Sequence, residues 1–179
     1  MPEIPESIHR CRLLVDGYNL LFGQGWAQPG QSSHPGLQRG RETLAERLSA
    51  QIPADKRSSV WIIFDSLDAP SHLPTSMVMR EMHVEFSKGW LSADEMLQQI
   101  LVTHPSPRSL VVLSSDHAVQ RKAIARGARV YDNDRWEEAI ETAFGTPSGS
   151  APSEEPGEPG KDRIVSNHER DEWMKRFGF

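Results

Sequence analysis

One cysteine in 179 residues, Cys11, leaves no partner for an internal disulfide and suits a reducing compartment. Lying within an apolar stretch, it reads as a small buried hydrophobe. No apolar run nears the length that spans a bilayer. The opening Met1-Pro2-Glu3-Ile4-Pro5-Glu6 has neither the basic start nor the apolar stretch of a signal peptide. A cytoplasmic protein without membrane contact is expected. The seven histidines fall at no metal-ligand spacing, and no Cys/His cluster suits zinc. No glycine-rich loop runs into Lys-Ser or Lys-Thr to cradle a nucleotide. Internal repeats are absent.

An excess of positive charge is missing too. The formal net charge is −5, which at first argues against a nucleic-acid partner. Met1–Gly145 carries 15 Lys and Arg against 18 Asp and Glu. If four aspartates there were neutralised by a cation, the rest of that segment would be slightly positive. Charge therefore does not decide the partner, and no strongly basic face is expected.

What is present is 37% hydrophobic residues and 25% charged ones, the balance of a soluble globular domain with an appendage. Short runs rich in Val, Ile and Leu end on acids. Asp16 closes Cys11–Val15, Asp65 closes Val60–Phe64, and Asp116 follows Leu110–Ser115. Runs of this kind read as strands buried on both faces of a parallel sheet. The crevice of such a sheet lies beyond the carboxyl ends of its strands. Carboxylates gathered there repel one another unless a cation sits between them, and a hard ion, Mg²⁺ or Mn²⁺, is the natural occupant.

Strands are expected at Cys11–Asp16, Ser59–Asp65, Ser109–Ser114 and Arg129–Tyr131, with Met82–Phe86 alternating as an edge strand does. Gly23–Gly36 reads as a long surface loop, and Pro70–Pro74 breaks regular structure. Helices are expected near Leu37–Ala50, Ala93–Thr103, Asp116–Arg126, stopped by Gly127, and Asp134–Phe144. Strands alternating with helices predict an α/β fold, a central, mostly parallel sheet flanked by helices. The domain is expected over 8–144. From 145 to 166 the composition turns to Gly, Pro, Ser and Glu, as in a disordered linker. Over 167–179, Trp173, Met174 and Phe177 give a short amphipathic helix an apolar patch, suited to docking a protein partner or its own domain.

The most specific stretch is Leu13-Leu14-Val15-Asp16-Gly17-Tyr18-Asn19-Leu20-Leu21. The strand end would place Asp16, Gly17 would allow a close turn, and Asn19 would return an amide able to hold a phosphate oxygen or the attacking water. A strand-end Asp capping the next helix, with Asn19 an ordinary turn residue, is the competing explanation. This stretch resembles the opening motif of the NYN-domain ribonucleases, in the YacP-like branch of the PIN-like nuclease superfamily. The likeness continues through Arg41-Glu42-Thr43-Leu44, Phe64-Asp65, Val84–Lys88, Ser92-Ala93-Asp94-Glu95 and Ser114-Ser115-Asp116, covering roughly the first 140 residues in order. It implies a Rossmann-like PIN/NYN fold and endoribonuclease activity, with some members acting on messenger RNA at the ribosome. By the same resemblance Asp16, Asp65, Asp94 and Asp116 take the acidic, metal-binding positions.

In Ser92-Ala93-Asp94-Glu95 the serine and Glu95 form a capping box, which occupies Glu95 with the backbone and leaves Asp94 to face the crevice, with Glu95 a lesser candidate behind it. Ser114 or Ser115 would bring a hydroxyl near the reacting water, though a helix cap is the bland alternative. Lys88 and Arg41 are candidates for the scissile phosphate, against the usual fate of solvated surface cations. Trp90 stacks on an unpaired base or belongs to the core. Asp132 and Asp134 either join the acidic ring or simply form a turn. Three function classes follow: a Mg²⁺- or Mn²⁺-dependent endoribonuclease, a non-catalytic RNA- or ribosome-binding adaptor, and a DNA-directed structure-specific nuclease.

Overall fold

A computed structural model of the chain describes residues 4–27, 34–66 and 74–145. These belong to one compact unit, Met1–Pro147. The linker and terminal helix expected after Gly145 lie outside the described residues.

Within that unit the apolar runs become strands β1 (Leu13–Asp16), β2 (Val60–Phe64), β3 (Ser76–Met79), β4 (Met82–Phe86), β5 (Val111–Leu113) and β6 (Arg129–Tyr131). They form one sheet in the order β3-β4-β2-β1-β5-β6, with every neighbouring pair parallel except β3 with β4. The α/β expectation is met. Helices α1 (Gly17–Gly23), α2 (His34–Gln51), α3 (Ala93–Thr103), α4 (His117–Ala125) and α5 (Trp136–Phe144) flank it.

Side chains alternate along each strand, so a sheet covered on both faces divides its apolar residues between two cores. Leu13, Val15, Ile62, Phe64, Val111 and Leu113 join Leu44 and Leu48 of α2 and Ile140 of α5. Leu14, Trp61, Ile63 and Val112 face the other way, onto Met96, Leu97 and Ile100 of α3 and Val119 of α4. The unbroken apolar runs of the sequence are the imprint of this two-sided burial.

Three readings need correction. Met82–Phe86 is not an edge strand: β3 pairs along its outer side and takes the edge, and Glu85 is buried at 3% exposure. Of the polar residues that made it look exposed, Glu85 is buried and His83 half-buried, stacking on Trp61 with ring centroids 4.5 Å apart. The stretch after Asp16 is helical at once, as α1, and the next helix begins at His34 rather than Leu37. The first strand begins at Leu13, because Cys11 follows a 3-10 turn over Glu6–Arg10. Gly127 does end α4, at φ 82°, with Ala128 N–H closing on the Ala123 carbonyl.

The sheet order has one reversal of consequence. From β1 the chain builds outward through β2 and β4, then returns to the other side of β1 with β5 and β6. The switch point therefore falls between β1 and β5, where a doubly wound sheet opens its ligand crevice at the carboxyl edge.

Candidate active site

At that edge Asp16 ends β1, Asp65 follows β2, and Asp116 follows β5 by way of two serines. Asp94 joins them from the first turn of α3. All four line one cleft of about 270 Å³, together with Asn19 and the rings of Tyr18 and Phe22. Residues 100 positions apart in sequence thus share one small space because parallel strands bring all their carboxyl ends to one edge.

Three of these aspartates also hold the backbone. Asp16 caps α1, its Oδ1 accepting from Asn19 N–H at 3.4 Å. Asp116 caps α4, with Oδ1 accepting from Ala118 N–H at 2.8 Å and Val119 N–H at 2.9 Å. Asp65 Oδ2 accepts from Ala93 N–H, the first residue of α3, at 3.0 Å. Capping and convergence are therefore not alternatives. Each cap fixes its carboxylate at a helix N-terminus, where the macrodipole favours negative charge.

Asp16 is the buried member at 6% exposure. Its Oδ2 accepts from the Ser114 hydroxyl at 2.9 Å, and Ser114 Oγ in turn accepts from Asp116 N–H at 3.1 Å. Burial pushes the Asp16 carboxyl up to about 7, opposed by the Ser114 bond and reinforced by the charges of Asp94 and Asp116. Asp94 is raised as well, by burial first and then by Asp116 and Asp65. Asp16 thus feels the charges of Asp94 and Asp116, and Asp94 those of Asp116 and Asp65.

The capping box at α3 has a variation. Ser92 Oγ accepts from Glu95 N–H at 3.2 Å, whereas Glu95 Oε2 accepts from Leu91 N–H at 2.9 Å, one residue before the serine. Glu95 is occupied as expected, and Asp94 faces the cleft.

Asn19 is fixed by a residue that sequence reading passed over. Asn133, 6% exposed, donates from Nδ2 to the Asn19 side-chain oxygen at 2.6 Å and to the Asn19 carbonyl at 2.8 Å. Ser115 N–H donates to the same Asn19 Oδ1 at 2.8 Å, and Ser115 Oγ accepts from Asn133 N–H at 3.0 Å. With its oxygen so occupied, Asn19 keeps its amide N–H₂ as the group to offer the cleft. The available signal was positional: Asn133 follows the last parallel strand and so must sit at the carboxyl edge. A second recess of about 590 Å³ adjoins, sharing Asn19 and Phe22 with the cleft and lined further by Ser115, Asn133, Asp132 and Asp134. Asp132 Oδ1 accepts there from Gln120 Nε2 at 2.6 Å.

The remaining candidates stand apart from the cleft lining. Arg41 is buried at 4% exposure, donating to the Tyr18 hydroxyl at 2.7 Å with its guanidinium 5.6 Å from the Phe86 ring centroid. It stands behind Tyr18 as a support. Trp90 packs partly buried against the core on the α3 face. Lys88 is half-buried in the turn before α3.

The donor set, carboxylates with an amide and hydroxyls, fits a hard cation rather than zinc or copper. Among the described residues no three Asp, Glu, His or Cys side chains are grouped closely enough to hold one ion as they stand. The fit is therefore to an ion that takes few protein ligands and keeps its waters, the habit of Mg²⁺.

The crystal structure of Rae1 (YacP) from Bacillus subtilis is similar at a TM-score of 0.51 and 21% identity, over 73% of this chain and 74% of that one. A point mutant of the same protein gives 0.48 and 23%, over 72% and 76%. No curated protein matches the chain in sequence. The model of the YacP-like NYN domain matches residues 13–177. The chain belongs to the YacP-like NYN domain family.

Proposed function

We propose that this cleft hydrolyses RNA phosphodiester bonds as a Mg²⁺- or Mn²⁺-dependent endoribonuclease. NYN domains are generally nucleases, which supports an RNA-directed hydrolase. The observation that carries the reading is the convergence of Asp16, Asp65, Asp94 and Asp116 on one cleft, with Asp16 buried and pushed up to about 7. Elements that needed only caps would not have to aim four carboxylates at one another. A bound cation would lower the pKa of its water and offset negative charge at the phosphorus and the departing oxygen.

The protein's own groups divide the rest of the work. Asp16 is the central ligand, steadied by Ser114; Asp94, Asp116 and Asp65 flank it, directly or through waters. Asn19, its oxygen held by Asn133 and Ser115, offers its amide N–H to a phosphate oxygen. Tyr18 and Phe22 exclude water from one wall and give the adjoining nucleoside an apolar surface. Attack by water leaves a 5′-phosphate and a 3′-hydroxyl, and the RNA 2′-hydroxyl is not the nucleophile. Messenger RNA on the ribosome is the context the family resemblance implies.

The test is cleavage of single-stranded RNA by the purified protein with and without Mn²⁺, beside Asp16→Asn. Metal-dependent cutting lost in the variant is expected; wild-type cutting by a folded variant would dismiss the assignment. A matched DNA strand in the same assay separates the DNA-directed nuclease. The adaptor reading draws on one observation, that three of the aspartates serve as caps. An adaptor would show no rise in melting temperature with Mg²⁺, whereas a cation bound only by the native state must raise it.

A further inference from the structure

The cleft gathers negative charge, so without its cation it repels the phosphates of the RNA assigned to it above. Affinity for a polyanion must then come from elsewhere on the surface. The opposite edge of the sheet supplies a source.

Strands β1, β5 and β6 are parallel, so their amino ends share one edge, and α4 runs back to end there as well. Arg10 and Arg12 lead into β1, Arg108 lies in the 3-10 turn before β5, Arg126 ends α4, and Arg129 opens β6. Backbone bonds tie these segments side by side: Val111 N–H to the Arg12 carbonyl at 2.8 Å, and Arg129 N–H to the Leu110 carbonyl at 3.0 Å. Arg108 Cγ lies 3.4 Å from where a Cβ on Gly127 would stand. All five arginines are exposed, and none forms an ion pair among the described residues. The nearby carboxylates Asp55 and Glu81 are taken by Lys56 and Arg57; Glu6 stands at the far end of the turn that carries Arg10. A chain with a net charge of −5 thus has one edge that is strongly positive, which its overall balance concealed.

We propose that this arginine edge docks the phosphate backbone of folded, double-stranded RNA, at a site separate from the cleft. Guanidiniums match phosphate oxygens in a bidentate fork, which favours phosphate over a diffuse negative surface. The exposed large hydrophobic side chains among the described residues are Val78, Leu91, Val102 and Ile124, none of them aromatic. Single strands are held by aromatic stacking, whereas duplex RNA is read through its backbone and shape. Helix α4, nine residues and so about 14 Å long, separates the edge from Asp116. The docked RNA is therefore a different segment from the one in the cleft.

The experiment measures binding of the full chain to a short RNA hairpin duplex, in chelator so that nothing is cut, across a salt series. Five phosphate contacts predict a log–log salt slope of about −4 and a roughly 100- to 500-fold loss of affinity between about 50 and 200 mM salt. The triple variant Arg12→Ala, Arg108→Ala, Arg129→Ala should reduce the slope by about 2 to 2.5 units whatever the duplex sequence. The corresponding triple lysine variant should keep it. Cleavage of a short single-stranded oligomer should be unchanged in the alanine variant. An unaltered slope in that variant, or tighter binding to polyglutamate than to the duplex, would overturn the proposal. A wild-type protein that binds duplex but cuts nothing would sink the nuclease reading and leave this one standing.

Discussion

Replacing Asp16 with asparagine should make the metal-free protein more stable while removing its activity. The wild-type carboxyl is pushed from 3.8 up to about 7 by burial and by Asp94 and Asp116. A raised carboxyl binds its proton more tightly in the folded chain than in the unfolded one. Between pH 4 and 7 the unfolded state therefore loses the proton first, and stability falls as pH rises through that window. A shift of about three units corresponds to roughly 4 kcal/mol, fully developed above pH 7 and absent below pH 4. Asparagine never carries the charge and still accepts from Asn19 N–H, but it exchanges the Ser114 bond for a neutral one, so a net gain of about 2–4 kcal/mol is expected. For a chain of this size that is on the order of 10 °C in melting temperature. Thermal unfolding in chelator at pH 8 and pH 5 reads it directly: a large advantage for Asp16→Asn at pH 8 that shrinks at pH 5. Adding Mg²⁺ at pH 8 should narrow that gap, since losing one of four ligands weakens ion binding in the variant, and should close it once Mg²⁺ reaches roughly 30 to 1,000 times the wild-type Kd. A variant less stable than wild type at pH 8 in chelator, or a gap indifferent to pH, would refute the electrostatic account of the cleft.

Gly17→Ala should destabilise by about 1–3 kcal/mol in denaturant titrations, because a Cβ there would lie 2.5 Å from the Phe64 ring and 2.9 Å from the Ile63 carbonyl oxygen. Asn133→Ala should cost about 1–3 kcal/mol by stranding the Asn19 groups it serves, and should lower cleavage through kcat, with Asn133→Asp failing to restore it because the carboxylate cannot donate. Trp90→Ala should appear as lost stability rather than a raised KM for single-stranded RNA, since Trp90 packs against the α3-side core; a change confined to KM would return it to the stacking role.

How far the sequence could be read depended on whether a feature is local. Apolar runs closed by Asp16, Asp65 and Asp116 identified the two-sided parallel sheet, because burial on both faces leaves no polar alternation. Ser92 with Glu95 announced the start of α3, and Gly127 the end of α4, since both signals act within one helical turn. The same logic failed at Met82–Phe86. Alternation there reports which residues share a face of the sheet, but whether the outer edge of that strand meets water or another strand depends on β3, whose residues carry no strong signal. Arg41 failed likewise: it lies on the helical stripe of Leu37, Leu44 and Leu48, but nothing local says that its partner will be the hydroxyl of a tyrosine 23 residues earlier.

The sequence by itself determined that acids end the strands, because strand and turn propensities act over a few residues. Only the tertiary structure decided that Asp94 meets the other three, that Asn133 holds Asn19, and that five arginines share the opposite edge. These depend on strand order and direction, which bring distant residues together through packing of the whole sheet and leave no trace in any short window of the chain.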